Sequence, residues 1–156
     1  DLKAKIEELE LLLGEDLAKK GIRLAINVLP DFPIIKADGV QLQQATHNLI
    51  VNGAEAILGV GRGGTIEVFV TLSADDDVLI EVRDDGPGFP PGFNVAEPAP
   101  FTTTKPEGSG LGLAVARSIA EAHGGSLTIS TSSRGARVVL RLPIEREADE
   151  QNRNRY

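Results

Sequence analysis

The sequence predicts an α+β domain, a two-layer α/β sandwich in which a mixed, mostly antiparallel sheet carries helices on one face. Three observations lead to this fold class. Apolar residues recur with helical spacing in three segments, five other segments resemble strands, and four of these strands fall into two consecutive pairs joined by short turns. At 156 residues the chain has the length of one domain.

The first half of the chain alternates between helices and strands. Residues 1–20 are predicted to be a helix because four apolar residues are spaced four, three and four apart: Leu2, Ile6, Leu9 and Leu13. Gly21 ends this helix, and residues 22–28 alternate as a half-buried strand. Asp38 is the predicted N-cap of a second helix over residues 40–58.

Two hairpins follow, predicted from the strand pairs 65–72 with 78–83 and 126–132 with 136–142. Between them lies a Gly- and Pro-rich loop over residues 84–110, and then a third helix over residues 111–123. Loops of this length inside a compact domain are usually functional.

Composition limits the classes of partner. The net charge is −7 and the pI is near 4.8, so the overall field repels nucleic acid and anionic membranes. No apolar run is long enough to span a bilayer and no signal peptide is visible, so we expect a cytoplasmic domain without direct membrane contact. The absence of cysteine excludes disulfides, thiolate metal sites and cysteine nucleophiles. The absence of methionine suggests a fragment of a longer protein.

The third helix begins with a glycine-rich segment, Gly108-Ser109-Gly110-Leu111-Gly112-Leu113. Glycines allow backbone N–H groups to approach an anion, and a helix N-terminus directly after them completes a seat for phosphate. By itself such a hexamer is weak evidence for a ligand.

The second helix carries a polar stripe whose residues are spaced four, four and three apart: Gln44, Asn48, Asn52 and Glu55. A solvated face is the simple alternative. Asn, however, is a poor helix former, and a solvated face would usually carry Glu or Lys. An amide oxygen is a suitable ligand for Mg²⁺ when phosphates supply the remaining negative charge.

The strand before the long loop ends in Asp84-Asp85-Gly86-Pro87-Gly88. A carboxylate at this point is well placed to accept a hydrogen bond from an amine deep in a cleft. The alternative is that the segment is only a turn.

Together these segments resemble the catalytic, ATP-binding domains of bacterial two-component sensor histidine kinases. Residues 48–56 are similar to the N box of that family and residues 84–88 to its G1 box, Asp-x-Gly-x-Gly. Residues 100–105 resemble the F box and residues 108–113 the G2 box, in the same order and spacing. The resemblance covers roughly residues 9–143, and it implies the Bergerat ATP-binding fold shared with gyrase, MutL and a heat-shock chaperone.

The resemblance implies a role for each residue around the base and the metal. Asp84 would bind the exocyclic amine of adenine, and Gly86 and Gly88 would let the backbone pack around the base. Asn52 would hold Mg²⁺ against the triphosphate, and Asn48 would line the phosphate site.

The resemblance also implies an ATP lid over residues 89–107, from which Lys105 would reach a phosphate. The phosphates would be seated by the G2 segment and the helix after it: Gly108, Ser109, Gly110, Leu111, Gly112 and Leu113. The implied cofactors are therefore ATP and Mg²⁺.

By the same resemblance, the γ-phosphoryl group goes to a histidine on a separate helical hairpin, and a response regulator is a further partner. The chain has only two histidines. His123 lies at a helix end, where a capping role is expected. His47 points away from the polar stripe, so a structural or surface role is expected for it. We therefore expect no phosphoacceptor and no catalytic residue within this chain.

Two alternatives stay open at this stage. Clamp-type ATPases of the same fold carry a Glu four residues before the metal-binding Asn, and this chain has Asn48 there, which favours a kinase. Ala136 stands where the family often has Thr near the adenine base. The missing hydroxyl is the reason to keep an inactive nucleotide-sensing module as the second alternative.

The expected organisation has three parts. Residues 1–10 are expected to be a linker or helix end from a missing dimerisation hairpin, with docking of the first helix from about Leu11 onward. Residues 11–144 form the ATP-binding domain, and residues 145–156 form a polar tail. We expect the isolated domain to be a monomer.

Overall fold

The structure, a computed structural model, describes residues 1–93 and 112–143. Within these residues there are three helices: α1 (Leu2–Lys19), α2 (Gly39–Gly59) and α3 (Gly112–Ala122). Five strands form one sheet: β1 (Ile22–Val28), β2 (Gly64–Leu72), β3 (Val78–Asp84), β4 (Ser126–Ser132) and β5 (Gly135–Leu142). Their order is β1-β2-β3-β5-β4, with β1 parallel to β2 and the other pairs antiparallel. The predicted fold class is confirmed.

Helix α1 packs against β1 and α2 through buried residues that extend from Leu2 to Leu17. The Asp1 carboxylate accepts a hydrogen bond from the Ala4 amide and caps the helix. The buried residues of α1 include Leu2, Ile6 and Leu9, whereas Leu11 is 85% exposed. The expectation that docking begins near Leu11 is therefore wrong, because the apolar stripe that faces the core starts at the second residue.

Helix α2 begins where the sequence predicts. The Asp38 carboxylate accepts from the Gln41 amide at 3.1 Å, so Asp38 is the N-cap. The apolar face of α2 lies on the sheet and includes Leu42, Leu49 and Ile57, each at most 2% exposed. Burial of each such side chain contributes about 1.5–3 kcal/mol.

The core lies between the helices and one face of the sheet. Alternate residues of the three central strands point into it: Ile66, Val68, Val70, Val78, Ile80, Val82, Val138, Leu140 and Leu142. On the other face, the Glu81 carboxylate accepts hydrogen bonds from Arg137 at 2.6 and 3.2 Å and one from Arg83, which also lies over the Phe69 ring. Among the described residues, the helices thus cover one face and charged side chains occupy the other.

The ion pairs on this outer face affect one titration. Burial of the Glu81 carboxyl opposes its ionisation, but the hydrogen bonds and positive charges of Arg137 and Arg83 outweigh that effect. The pKa of Glu81 therefore lies below its ordinary value.

Across residues 1–93 and 112–143, no helix has the length and apolar character needed to cross a bilayer. The polar tail predicted over residues 145–156 lies outside the described residues.

Candidate functional site

The candidate site starts where β3 ends against α2. Asp84 is the last residue of β3, on the helix-facing side of the sheet, and it is only 9% exposed. Gly53 of α2 faces it, and a Cβ atom on Gly53 would lie 3.3 Å from Oδ2 of Asp84. Because position 53 has no side chain, the helix and the carboxylate lie close together.

The turn after β3 is fixed by the same carboxylate. The Gly86 amide donates a hydrogen bond to Oδ1 of Asp84 at 2.9 Å. A Cβ atom at position 86 would lie 2.9 Å from that oxygen and 3.2 Å from Cβ of Ala56. A side chain at position 86 would crowd both neighbours, so glycine here lets the turn lie close to Asp84 and to α2.

The two adjacent aspartates have different surroundings. Oδ1 of Asp85 accepts a hydrogen bond from the Thr65 amide at 2.9 Å, and the Asp85 carbonyl accepts one from Arg62. Asp85 thus ties the turn to the start of β2, whereas the Asp84 carboxylate faces α2. The arrangement is a turn, as the simple alternative states, and it also holds one buried carboxylate in a fixed orientation.

The other end of the site is the start of α3. A Cβ atom on Gly112 would lie 3.6 Å from the carbonyl oxygen and 3.8 Å from Cβ of Asn48. Asn48 and Asn52 are both half-buried, one helical turn apart on α2. The first amides of a helix lack intrahelical acceptors and carry the positive end of its dipole, so an anion-attracting end lies beside Asn48. The Leu113 side chain is buried in the core, so its backbone is the part that a ligand could contact.

These contacts place three parts of the site at successive points along α2. Gly112 meets the helix at Asn48, Asp84 meets it at Gly53, and Gly86 meets it at Ala56. At the rise of an α-helix, these three points span about 12 Å. A carboxylate acceptor lies toward one end of this stretch, and a helix N-terminus lies at the other.

Gly88 lies further along the turn, against β4. It has φ +80, and a Cβ atom there would lie 2.3 Å from Cγ2 of Thr131. The next amide, that of Phe89, donates a hydrogen bond to Oγ1 of Thr131 at 3.0 Å. The turn is thus held by Asp84 at its start and by Thr131 at its end.

The structure brings together Asn48, Gly112, Asp84 and Gly86, with Asn52 on the same helix. Five other predicted site residues lie outside the described residues: Lys105, Gly108, Ser109, Gly110 and Leu111. Two further residues support the site without a role predicted from the sequence: Gly53 and Thr131. A glycine inside a helical pattern is a detectable signal for the first. Nothing in the sequence marks the second, because its contact depends on how distant strands pair.

The chain is similar to proteins that include sensor histidine kinases. A family model described as "Histidine kinase-, DNA gyrase B-, and HSP90-like ATPase" matches residues 37–146. The sensor histidine kinase ZraS of Salmonella typhimurium is 38% identical over 134 residues, which cover 85% of this chain and 28% of ZraS. The C4-dicarboxylate transport sensor protein DctS of Rhodobacter capsulatus is 37% identical over 127 residues, which cover 81% of this chain and 19% of DctS. The chain thus spans less than a third of either relative.

Solved structures share the fold. The nucleotide-free catalytic domain of histidine kinase ThkA has a TM-score of 0.78 and 28% identity, and the match covers 90% of this chain and 91% of that domain. Full-length ShkA in complex with AMPPNP has a TM-score of 0.80 and 26% identity, over 92% of this chain and 30% of ShkA. ThkA in complex with the response regulator protein TrrA has a TM-score of 0.76 and 25% identity, over 93% of this chain and 41% of ThkA.

The family model covers more than half of the chain, the similar curated proteins include sensor histidine kinases, and the similar structures include histidine kinase catalytic domains. The chain therefore belongs to the histidine kinase-, DNA gyrase B- and HSP90-like ATPase family and has the fold of a histidine kinase catalytic domain.

Proposed function

We propose that this chain binds Mg-ATP and delivers the γ-phosphoryl group to a histidine on a separate helical hairpin, as the catalytic domain of a two-component sensor histidine kinase. One observation carries the proposal: Asp84 and the N-terminus of α3 lie against the same stretch of α2. A buried carboxylate accepts hydrogen bonds from an amine, and a helix N-terminus attracts phosphate. The arrangement suits a ligand with an amino-bearing base at one end and phosphates at the other.

The proposed adenine-binding end of the site depends on the two glycines beside Asp84. Gly53 and Gly86 occupy positions that a Cβ atom would crowd against the carboxylate, and the Gly86 amide fixes Oδ1. With one oxygen held by the backbone, the carboxylate has a defined orientation toward the exocyclic amine of adenine. The Gly88 backbone extends the turn that begins at Gly86, and in this proposal both glycines pack against the adenine.

The residues present fit a magnesium ion that arrives with the nucleotide. Among the described residues, no group of three His, Asp or Glu side chains could hold a metal ion alone. Asn52 offers a neutral amide oxygen, which matches Mg²⁺ when phosphates supply the charge. The bound ion supplies charge neutralisation on the transferring phosphoryl group. In this proposal Asn52 holds the ion, and Asn48 lines the phosphate site.

The chain's own residues bind and orient the nucleotide, and the acceptor lies elsewhere. Nδ1 of His123 is 2.8 Å from the Ile119 carbonyl at the end of α3, which fits the capping role expected from the sequence. His47 is half-buried on α2. Asn48 stands where a clamp-type ATPase carries a Glu, and an amide does not take a proton from water at neutral pH. We therefore expect very little ATP hydrolysis by the isolated chain.

The partners follow from the same proposal. They are the histidine-bearing hairpin of the full-length kinase and a response regulator, and the complex of ThkA with TrrA supports the second. We propose a cytoplasmic, monomeric domain that contacts neither nucleic acid nor the membrane directly. Its net charge of −7 supports this exclusion.

Calorimetry with AMPPNP tests the binding. We expect micromolar-to-millimolar affinity in the presence of Mg²⁺, strong weakening without the metal, and loss of binding in Asp84→Asn. The matched control is Asp76→Asn, which makes the same change in the exposed turn beyond the opposite end of β3, a strand about 20 Å long. The control position has φ +65, a conformation that Asn tolerates. Binding that survives in Asp84→Asn, or no Mg-dependent binding by wild type, contradicts the proposal.

Phosphoryl transfer needs a second experiment. The isolated chain is mixed with the helical hairpin of the same kinase and ATP, and acid-labile phosphohistidine on the hairpin is measured. Transfer supports a kinase. Binding without transfer indicates the nucleotide-sensing module, and rapid hydrolysis without the hairpin indicates an ATPase.

A further inference from the structure

One residue outside every sequence motif holds the end of the turn that follows Asp84. This residue is Thr131 of β4. The helix-facing residues of β4 alternate as Leu127, Ile129 and Thr131, and the last of them pairs with Ala136 of β5. Val82 pairs with Val138 on the same face, so Asp84 and Ala136 lie side by side at the ends of β3 and β5. The end of the sheet thus carries one row of three residues on its helix-facing side: Asp84, Ala136 and Thr131.

Thr131 makes two contacts with the turn, and they involve different parts of its side chain. Its hydroxyl accepts a hydrogen bond from the Phe89 amide at 3.0 Å. Its methyl group occupies the space beside Gly88, where a Cβ atom would lie 2.3 Å from Cγ2. Two successive residues of the turn are therefore located by one side chain that lies 42 residues further along the chain.

The residues after the turn support this attachment. Phe89 is half-buried against the core and stacks on Phe93, with ring centroids 5.1 Å apart and planes at 22°. The Phe89 amide is the donor in the Thr131 contact, so the hydrogen bond and the ring packing act on the same residue. At the other end, Asp84 accepts from Gly86. The distance between the carboxylate and the Gly88 backbone is thus set from both sides.

We propose that Thr131 is a positioning residue for nucleotide binding, which fixes the Gly88–Phe89 backbone as one wall of the base pocket opposite Asp84. The inference rests on the proposed binding of Mg-ATP and extends it to a side chain that no motif contains. The hydroxyl carries the effect, because it replaces the water that the Phe89 amide would otherwise bind and so fixes the backbone. Ala136, between Thr131 and Asp84 in this row, is buried and has the smallest side chain of the three.

Two variants separate the two contacts. Thr131→Val keeps the shape and methyl groups but loses the hydroxyl, whereas Thr131→Ser keeps the hydroxyl and loses the methyl. Thr128→Val is the matched control, since Thr128 is exposed on the opposite face of the same strand. We expect the Kd of AMPPNP with Mg²⁺ to rise about fivefold to tenfold in Thr131→Val, and to stay within about twofold in Thr131→Ser and Thr128→Val.

Hydrogen exchange of the Phe89 amide in the nucleotide-free protein is the second readout. It should be faster in Thr131→Val than in the other two variants, with the melting temperature changed by only a few degrees. Unchanged affinity in Thr131→Val, or an equal loss in Thr131→Ser, overturns the inference while Asp84-dependent binding by wild type upholds the proposed function. A wild-type protein that binds no nucleotide overturns both.

Discussion

Replacing Gly135 by alanine tests the close packing of β5 against the end of β3. Gly135 has φ +123, and a Cβ atom there would lie 2.0 Å from the Asp84 carbonyl oxygen and 2.9 Å from Cα of Asp85. Both atoms belong to the backbone, so no side chain can rotate away. Either β5 or the end of β3 must move.

The cost has two parts. A residue with a Cβ atom at this φ carries about 1–3 kcal/mol of backbone strain. Overpacking against the Asp84 carbonyl adds about 1–3 kcal/mol. A loss of about 2–6 kcal/mol is a large share of the 5–15 kcal/mol that stabilises a typical domain. For a chain of this length we expect the melting temperature to fall by about 5–20 °C.

The assay is thermal unfolding followed by circular dichroism, with Gly14→Ala as the control. Gly14 lies within α1, and a Cβ atom there would meet no other atom within 4 Å. This control should gain about 0.5–1 kcal/mol, since Ala is the better helix former. If Gly135→Ala melts within about 2 °C of wild type, the packing of the β3 end described above is refuted.

Three further predictions concern single side chains. Because the folded pKa of Glu81 lies below its ordinary value of 4.5, its contribution to stability is complete above that pH and is lost as the pH falls through the folded pKa. Urea unfolding should show Glu81→Gln to be less stable than wild type by about 1 kcal/mol at neutral pH, with the difference shrinking in acid; a constant difference would contradict the role of ionisation. Ala136→Thr should lower the Kd of AMPPNP about threefold to tenfold by restoring a hydroxyl near the base, whereas Ala136→Val should not, and calorimetry that finds the two variants alike counts against it. Asp85→Asn should lower the melting temperature by about 3 °C, because the Thr65 amide loses its charged acceptor, yet leave the affinity within about twofold. An affinity loss equal to that of Asp84→Asn would show that Asp85 also takes part in nucleotide binding, which contradicts the separate roles given to the two aspartates.

Local patterns in the sequence predicted most of the fold. The bounds of β1 and β4 agree with their alternation, and Asp38 caps α2 as its residue type predicts. These features depend on neighbours within a few residues. The docking of α1 from Leu2 was not predicted, because periodicity identifies an apolar stripe without showing which surface covers it.

The sequence motifs predict which residues form the candidate site, but they do not predict the contacts that hold those residues in place. The pattern around Asp84 and Gly86 marks the turn, but the pattern does not show that Gly53 approaches the carboxylate or that Thr131 holds Phe89. Those contacts join residues far apart in the chain: the first depends on how α2 packs on β3, and the second on the register of β3, β5 and β4. A single sequence carries no local signal for such a register.

The pairing of β3 with β5 also has a consequence for folding. The β2–β3 and β4–β5 hairpins each close over a short turn, whereas Glu81 and Arg137, which link the two hairpins, are 56 residues apart. Closing longer loops costs more chain entropy, so we expect each hairpin to form before the two hairpins join. Asp84 comes from one hairpin and Thr131 from the other, so a partly folded chain would lack the assembled pocket. Nucleotide that binds only the joined state would then shift the folding equilibrium toward it by mass action, and the ligand would act on the last step of assembly.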